Sequence, residues 1–295
     1  MNDRDYFAHP ALSQTGAKTL LRSPAQYSHE RDNPAPPTDA MLAGQLLHAM
    51  VLEPASVAQR FSTGPDLSGV TTKDGKPAAN PAATAEGKAL VAAWTAANPG
   101  VAVFSLADWS RIAAMAEALF DAPMPAELVE SGVGEPYTLR DLLADPSAKR
   151  ELAIFWDSDS CPCKAKIDVA VNIGGKALVL DLKSTSADLT EADLSRAVAT
   201  FGYHRQAAHY LEAVASQGVV DAEFWFGFVG KTAPHEVAWI RLTEQSLSVG
   251  AAEMARAKTL YRACTAAGVW PSAQEMGLVP AVIGLPRWYS RDSEV

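Results

Sequence analysis

Two aspartates and a lysine form the pattern in this sequence that is best suited to chemistry. Asp168 and the triplet Asp181-Leu182-Lys183 lie in two runs of β-branched and leucine residues, which are separated by Gly174-Gly175. Two glycines between such runs are typical of a two-residue β-hairpin turn. Counting outward from the turn places Asp168 opposite Asp181, with Cβ atoms about 5 Å apart. Since strand side chains alternate, Lys183 shares the face of Asp181.

Opposed carboxylates on a hairpin repel each other unless a cation compensates their charge. Mg²⁺ binds carboxylate oxygens, water and phosphate, whereas a protonated lysine would hold a phosphate oxygen or a nucleophilic water. The pattern therefore indicates metal-assisted hydrolysis of a phosphodiester. The alternative is a solvated edge hairpin in which Lys183 is the counter-ion of Asp168 and Asp181, and the pattern alone favours the two readings about equally.

Composition limits the possible partners of the chain. A length of 295 residues with 48% hydrophobic residues allows one large domain or two, with a sizeable core. The net charge of −9 and the pI near 5.2 argue against a broadly basic nucleic-acid surface, so any DNA path must be local. The 3 cysteines are too few for a four-cysteine zinc or iron–sulfur site and fit a reducing compartment. No apolar run reaches the ~18 residues of a membrane helix, so we expect a soluble, cytoplasmic protein.

The N-terminal part of the chain is predicted to be mainly helical. Ser13 is placed to cap a first helix, and a later apolar helix carries His48 and stops at Pro54. Two alanine-rich helices are predicted over residues 85–97 and 106–120. A lone histidine on an apolar helix is more often a core residue than a metal ligand, so both interpretations of His48 stay open at this point.

A loop over residues 64–85 lies between the helix that carries His48 and the two alanine-rich helices. It is rich in Gly, Pro, Thr, Lys and Asp and has no periodicity. Loops of this length are usually functional or disordered. Lys73 and Lys76 could contact a phosphodiester backbone, although a solvated loop tip is an equally good interpretation.

Elements around the hairpin could complete the site. Glu151 begins a predicted strand, and an even loop length before the hairpin would place it opposite Lys166 or Asp168 as a third carboxylate. After the hairpin, one long helix is predicted over residues 193–216. Its Tyr203, Gln206 and Tyr210 share a face and are either half-buried surface or the lining of a DNA path.

Two further strands and a last long helix over residues 244–267 follow. Strands alternating with helices in this order predict an α/β or α+β fold, with a mixed β-sheet flanked by helices. We expect a single nuclease domain over residues 1–295, in which residues 1–130 are mainly helical and residues 131–295 form the α/β catalytic core.

Several short segments, taken in order, resemble one known family. They are LSQTGAKTLLRSPAQY, GQLLHAMVLEP, CKAKIDVAV, VLDLKST, YHRQAAHYLEA and the terminal LPRW. In this order they resemble the nuclease domain of the RecE (exonuclease VIII) family and its phage relatives, within the PD-(D/E)xK nuclease superfamily. The resemblance extends from about Leu12 to Trp288, and it implies a PD-(D/E)xK nuclease-like core.

The resemblance also implies roles for individual residues. It assigns metal ligation to His48, Asp168 and Asp181. Catalysis falls to Lys183 together with Glu151, Asp181, Gln206 and Tyr210. Ile167 stands where the superfamily name has proline, and Glu135 is a rival to Glu151 as the third carboxylate. We expect further DNA contacts from Lys73, Lys76 and Arg205.

The implied activity is an Mg²⁺-dependent DNA exonuclease, with Mn²⁺ as a possible substitute. It would degrade linear double-stranded DNA from its ends and expose single strands for recombination in a bacterial or phage-infected cell. Expected partners are double-stranded DNA ends, a single-strand annealing protein and further copies of the chain in a ring. The alternatives are a structure-specific or restriction-type endonuclease and a non-catalytic DNA-binding protein with the same fold.

Overall fold

The computed structural model of the protein describes residues 3–72, 74–128 and 137–285. Its helices are α1 (Asp3–Ala8), α2 (Gln14–Arg22), α3 (Pro24–Asp32), α4 (Asp39–Leu52), α5 (Val57–Arg60), α6 (Ala85–Ala97), α7 (Leu106–Asp121), α8 (Leu139–Ala144), α9 (Glu191–Phe201), α10 (Tyr203–Ala215) and α11 (Glu244–Ala267). Its strands are β1 (Phe61–Ser62), β2 (Ala102–Val103), β3 (Lys149–Ser158), β4 (Cys161–Ile173), β5 (Lys176–Thr185), β6 (Glu223–Gly230) and β7 (Val237–Arg241).

A five-stranded mixed sheet forms the centre of the molecule. The strand order is β3-β4-β5-β6-β7, and β5 and β6 are its parallel pair, whereas the other neighbours are antiparallel. The parallel pair is joined through α9 and α10, as a crossover connection requires. Strands β1 and β2 form a separate two-residue parallel pair. The α/β class and the mixed sheet with flanking helices are therefore confirmed.

Helices cover both faces of the sheet. On one face, Leu180 and Leu182 of β5 share a buried cluster with Leu46 of α4 and Leu119 of α7. The other face carries a cluster of phenylalanines from β6 that packs against Ala207 and Tyr210 of α10. The alternating side chains of β5 can thus send leucines into one core while the intervening residues face α10.

The predicted N-terminal helices form as their cap residues indicate. The Ser13 hydroxyl accepts the Gly16 N–H at 3.1 Å at the start of α2. Helix α4 carries His48 and ends directly before Glu53-Pro54. None of the described helices combines the length and the apolar character that crossing a bilayer would need.

The prediction of a single helix over residues 193–216 is wrong. The chain forms α9 and α10 instead, and Gly202 between them has a left-handed φ of 76°. Glycine adopts that conformation without steric cost, so it ends α9 and redirects the chain. The face that carries Tyr203, Gln206 and Tyr210 belongs entirely to α10.

Candidate active site

The predicted hairpin positions the two aspartates. Gly174 and Gly175 have φ values of 59° and 83°, as a turn with two left-handed residues requires. Antiparallel pairing runs from Ile173↔Lys176 to Val169↔Leu180 and stops there. Asp168 and Asp181 occupy the next positions in that register, where the ladder ends.

The Asp168 carboxylate takes over a backbone hydrogen bond at this point. Its Oδ2 atom accepts the N–H of Leu182 at 2.7 Å. Leu182 lies two residues beyond Leu180, the last residue of β5 that pairs with β4. Burial raises the pKa of Asp168 to about 7; the charge of Asp181 acts in the same direction and that of His48 opposes it. A neighbouring cation would therefore stabilise the ionised carboxylate.

His48 reaches the hairpin from α4. Its Nε2 atom lies 3.0 Å from the carbonyl oxygen of Leu182, and its Nδ1 atom lies 3.5 Å from Asp168 Oδ2 and 3.9 Å from Glu151 Oε1. Burial alone lowers the pKa of His48, but the charge of Asp168 and the hydrogen bond with Glu151 outweigh it and raise that pKa to about 9. Without another cation, a proton on this ring satisfies the two carboxylates.

Glu151 joins the site from β3. The pairs Arg150↔Val169 and Leu152↔Ile167 on either side place Glu151 opposite Asp168, which is one of the two positions that an even loop length predicted. Its φ of 51° is left-handed, which is uncommon for a residue with a side chain and costs on the order of 1 kcal/mol. Glu151 also forms an ion pair with Lys166. Burial raises its pKa, but the contacts with His48 and Lys166 outweigh burial and lower it, so Glu151 is ionised.

Asp181 lies in a second set of contacts. Its Oδ2 atom forms an ion pair with Lys183, and its Oδ1 atom accepts a hydrogen bond from Gln206 Nε2 of α10. Burial lowers the pKa of Lys183, but the charges of Asp181 and Asp168 outweigh it and raise that pKa, so the lysine stays protonated. Gln206 and Tyr210 are only 3% and 8% exposed. They can hold Asp181 and its surroundings in place, and they are too buried to line a DNA path.

One group of side chains could hold a metal ion. His48, Glu151 and Asp168 each offer one ligand atom, and these atoms lie within 4.8 Å of one another. The hydrogen bond to the Leu182 carbonyl requires a proton on Nε2, so a cation bound beside the two carboxylates would replace the Nδ1 proton and use the Nδ1 lone pair. Three converging acceptors of nitrogen and oxygen type fit a divalent cation such as Mn²⁺ or Mg²⁺. Asp181 contributes its charge nearby, while its oxygens are engaged by Lys183 and Gln206.

The remaining predicted residues are more scattered. Lys76 is exposed at a turn closed by the hydrogen bond from Thr72 N to Lys76 O at 2.7 Å. Arg205 is 13% exposed, and Glu253 binds its guanidinium, so a phosphate would have to compete with that carboxylate. Lys73, Glu135 and Trp288 lie outside the described residues.

Lys166 is a site residue to which the sequence assigned no role. It lies two residues before Asp168 in β4 and contacts Glu151. Strand alternation places Lys166 and Asp168 on one face, so the Lys-Ile-Asp spacing was the signal that could have revealed Lys166.

Comparisons with known proteins identify the family and the fold. A family described as "PDDEXK-like domain of unknown function (DUF3799)" matches residues 13–277. The crystal structure titled "Putative exonuclease" from Eubacterium rectale superposes with a TM-score of 0.52 at 15% identity, over 100% of this chain and 98% of that one. The crystal structure of SSO0001 aligns with 41% of this chain and 55% of its own, at 13% identity and a TM-score of 0.28. None of the curated proteins matches the sequence.

Proposed function

Since the chain belongs to the PDDEXK-like family DUF3799, we propose that it is a metal-dependent nuclease that degrades linear double-stranded DNA from its ends. The observation that carries the proposal is the convergence of His48, Glu151 and Asp168 within 4.8 Å, beside a strand that presents Asp181 and Lys183. A PDDEXK-like fold supports phosphodiester hydrolysis as the reaction class. The segments that resemble the RecE family, in the same order along the chain, support DNA ends as the substrate.

The site residues have distinct tasks in this proposal. His48, Glu151 and Asp168 hold the cation, and a bound Mg²⁺ or Mn²⁺ would stabilise charge on the scissile phosphate and lower the pKa of a water. Lys183 is protonated and can orient a phosphate oxygen or the attacking water. Asp181 fixes the position of the Lys183 ammonium, and Gln206 fixes that of Asp181.

The acidic charge of the whole chain restricts how DNA is bound. With a net charge of −9, long-range attraction to DNA is absent, so positive groups must be concentrated near the site. A ring of copies around the duplex would concentrate such groups in a channel, and a single-strand annealing protein would receive the exposed strand. Both partners rest on the resemblance to the RecE family.

The test compares DNA with and without ends. End-labelled linear duplex and closed circular duplex are each incubated with the protein in Mg²⁺, in Mn²⁺ and in EDTA. We expect metal-dependent release of nucleotides from the linear duplex and none from the circle. Cutting of the circle would identify an endonuclease, and no cleavage of either substrate in any metal would contradict the proposed function.

A further inference from the structure

Two aromatic rings stack at the junction between α9 and α10. The centroids of Phe201 and Tyr203 are 5.5 Å apart, with an angle of 28° between the ring planes. The left-handed Gly202 between them makes this arrangement possible, because it turns the chain between the last residue of α9 and the first residue of α10. Phe201 is the outer member of the pair and is 53% exposed.

This aromatic pair adjoins the candidate active site. The ammonium of Lys183 lies over the Tyr203 ring, 5.1 Å from its centroid. Tyr203 also packs against Phe226 and Phe228 of β6, at centroid distances of 5.4 Å and 5.8 Å. Contacts with the core therefore fix the position of Tyr203, and Phe201 is the exposed ring of the pair.

A cation lies beside the exposed ring. The Lys18 ammonium of α2 lies 5.8 Å from the Phe201 centroid and donates to the carbonyl oxygens of Thr200 and Phe201 at 3.3 Å and 3.5 Å. Arg22 follows Lys18 by four residues in α2, so the two side chains lie on one face of that helix. Arg22 is exposed at the end of α2. In an acidic chain this is a local concentration of cations at the candidate site.

The geometry points to a single-strand binding platform at the α9–α10 junction, on which Phe201 stacks against a base while Lys18 and Arg22 contact phosphates. This inference rests on the proposed function for the identity of the ligand as DNA. An exposed ring framed by cations matches the combination with which proteins hold single strands without reading their sequence. A hydrophobic protein partner would gain little from a lone ring among charges, whereas a nucleotide uses both. The platform would hold the strand beside Lys183.

The experiment measures single-strand binding in EDTA, where cleavage cannot occur. The probe is a short fluorescein-labelled single strand of thymidines, followed by fluorescence anisotropy. We expect Phe201→Ala to weaken binding about tenfold, because the loss of one base–aromatic stack has about that effect. Phe201→Trp should bind as well as the original chain, and Phe201→Leu should bind as weakly as Phe201→Ala.

Two further variants sharpen the test. Phe7→Ala is the matched control, because Phe7 is 66% exposed but packs against Tyr6 of α1 instead. It should leave binding unchanged. Arg22→Gln should reduce the slope of log K against log salt by about 0.7, the value for one phosphate contact on a single strand.

The outcomes separate this inference from the proposed function. Equal binding by Phe201→Ala and the original chain, or full binding by Phe201→Leu, would overturn the platform even if the protein cleaves DNA. Loss of binding in Phe201→Ala would support the platform even if no metal restores cleavage, in which case only the nuclease proposal fails.

Discussion

The Nε2 atom of His48 lies 3.0 Å from the carbonyl oxygen of Leu182, the middle residue of the Asp-Leu-Lys triplet. A carbonyl oxygen only accepts hydrogen bonds, so Nε2 donates to it and Nδ1 is directed at Asp168 and Glu151. The backbone of β5 therefore fixes the orientation of a histidine from α4, while the side chains of Asp181 and Lys183 contact Gln206 and Tyr203 of α10. One strand segment organises both halves of the site.

The first prediction tests His48 as a metal ligand. His48→Gln places an amide near the Nε2 position and can keep the bond to Leu182, but it removes the Nδ1 lone pair. We expect the Mn²⁺ concentration for half-maximal cleavage to rise at least about tenfold, because second-shell changes alone cost that much. The measurement is a metal titration of the nuclease rate. His29→Gln, at an exposed position, is the control and should titrate like the original chain. Lower thermal stability of His48→Gln with an unchanged metal requirement would mean that His48 only packs.

The second prediction concerns Asp181. Asp181→Asn keeps the shape of the side chain but removes the charge that pairs with Lys183. We expect cleavage to fall about 100-fold or more, as typical for the loss of a preorganised charge, while the far-UV circular dichroism is unchanged. Asp221→Asn, in an exposed loop, should retain full activity. An Asp181→Asn protein that cuts at nearly the original rate would remove Asp181 from the site.

A third prediction distinguishes the two candidates for the third carboxylate. Glu151 lies 3.9 Å from His48 and opposite Asp168, so Glu151→Gln should lose cleavage and weaken metal binding. Glu135→Gln should cut at the original rate. Calorimetric titration with Mn²⁺ alongside the nuclease assay measures both effects. The reverse result would assign the role to Glu135.

Much of this arrangement could be predicted because it depends on local rules. The double glycine fixed the hairpin register, and strand alternation followed from it, so Asp168 and Asp181 come directly after the last β4–β5 pair and Lys183 contacts Asp181. An even two-residue loop between β3 and β4 placed Glu151 by the same reasoning.

The errors arose where backbone geometry or distant contacts decide. The predicted helix over residues 193–216 ran through Gly202, but the left-handed φ of this glycine splits the helix. The burial of Gln206 depends on how α10 packs against the sheet, and the pairing of Arg205 with Glu253 joins α10 to α11. Neither contact leaves a periodic signal in the sequence.

A fourth prediction follows from the burial of Gln206. Its amide bonds Asp181 and is 3% exposed, so it cannot contribute directly to DNA affinity. We expect Gln206→Ala to slow cleavage about tenfold while the Kd for duplex DNA in EDTA changes less than about twofold. Tyr210→Phe should likewise impair cleavage more than binding. A parallel loss of affinity in Gln206→Ala would show that the residue contacts DNA after all.

The last prediction concerns pH and a histidine outside the metal site. His209 is fully buried in α10; its Nε2 atom lies 3.0 Å from the Lys164 carbonyl oxygen, and its Nδ1 atom has no hydrogen-bond partner among the described residues. Burial lowers the pKa of His209 from 6.5 to about 4. Between these values the unfolded chain binds a proton that the folded chain does not, so the stabilisation is complete above pH 6.5 and is lost as the pH falls. The free energy of unfolding should fall by up to about 1.4 kcal/mol per pH unit in this window from this group alone.

Urea denaturation at several pH values should show that His209→Gln, whose amide can still bond Lys164, reduces this slope, whereas exposed His29→Gln does not. A His209→Gln protein with an unchanged slope would mean that His209 takes up its proton without unfolding.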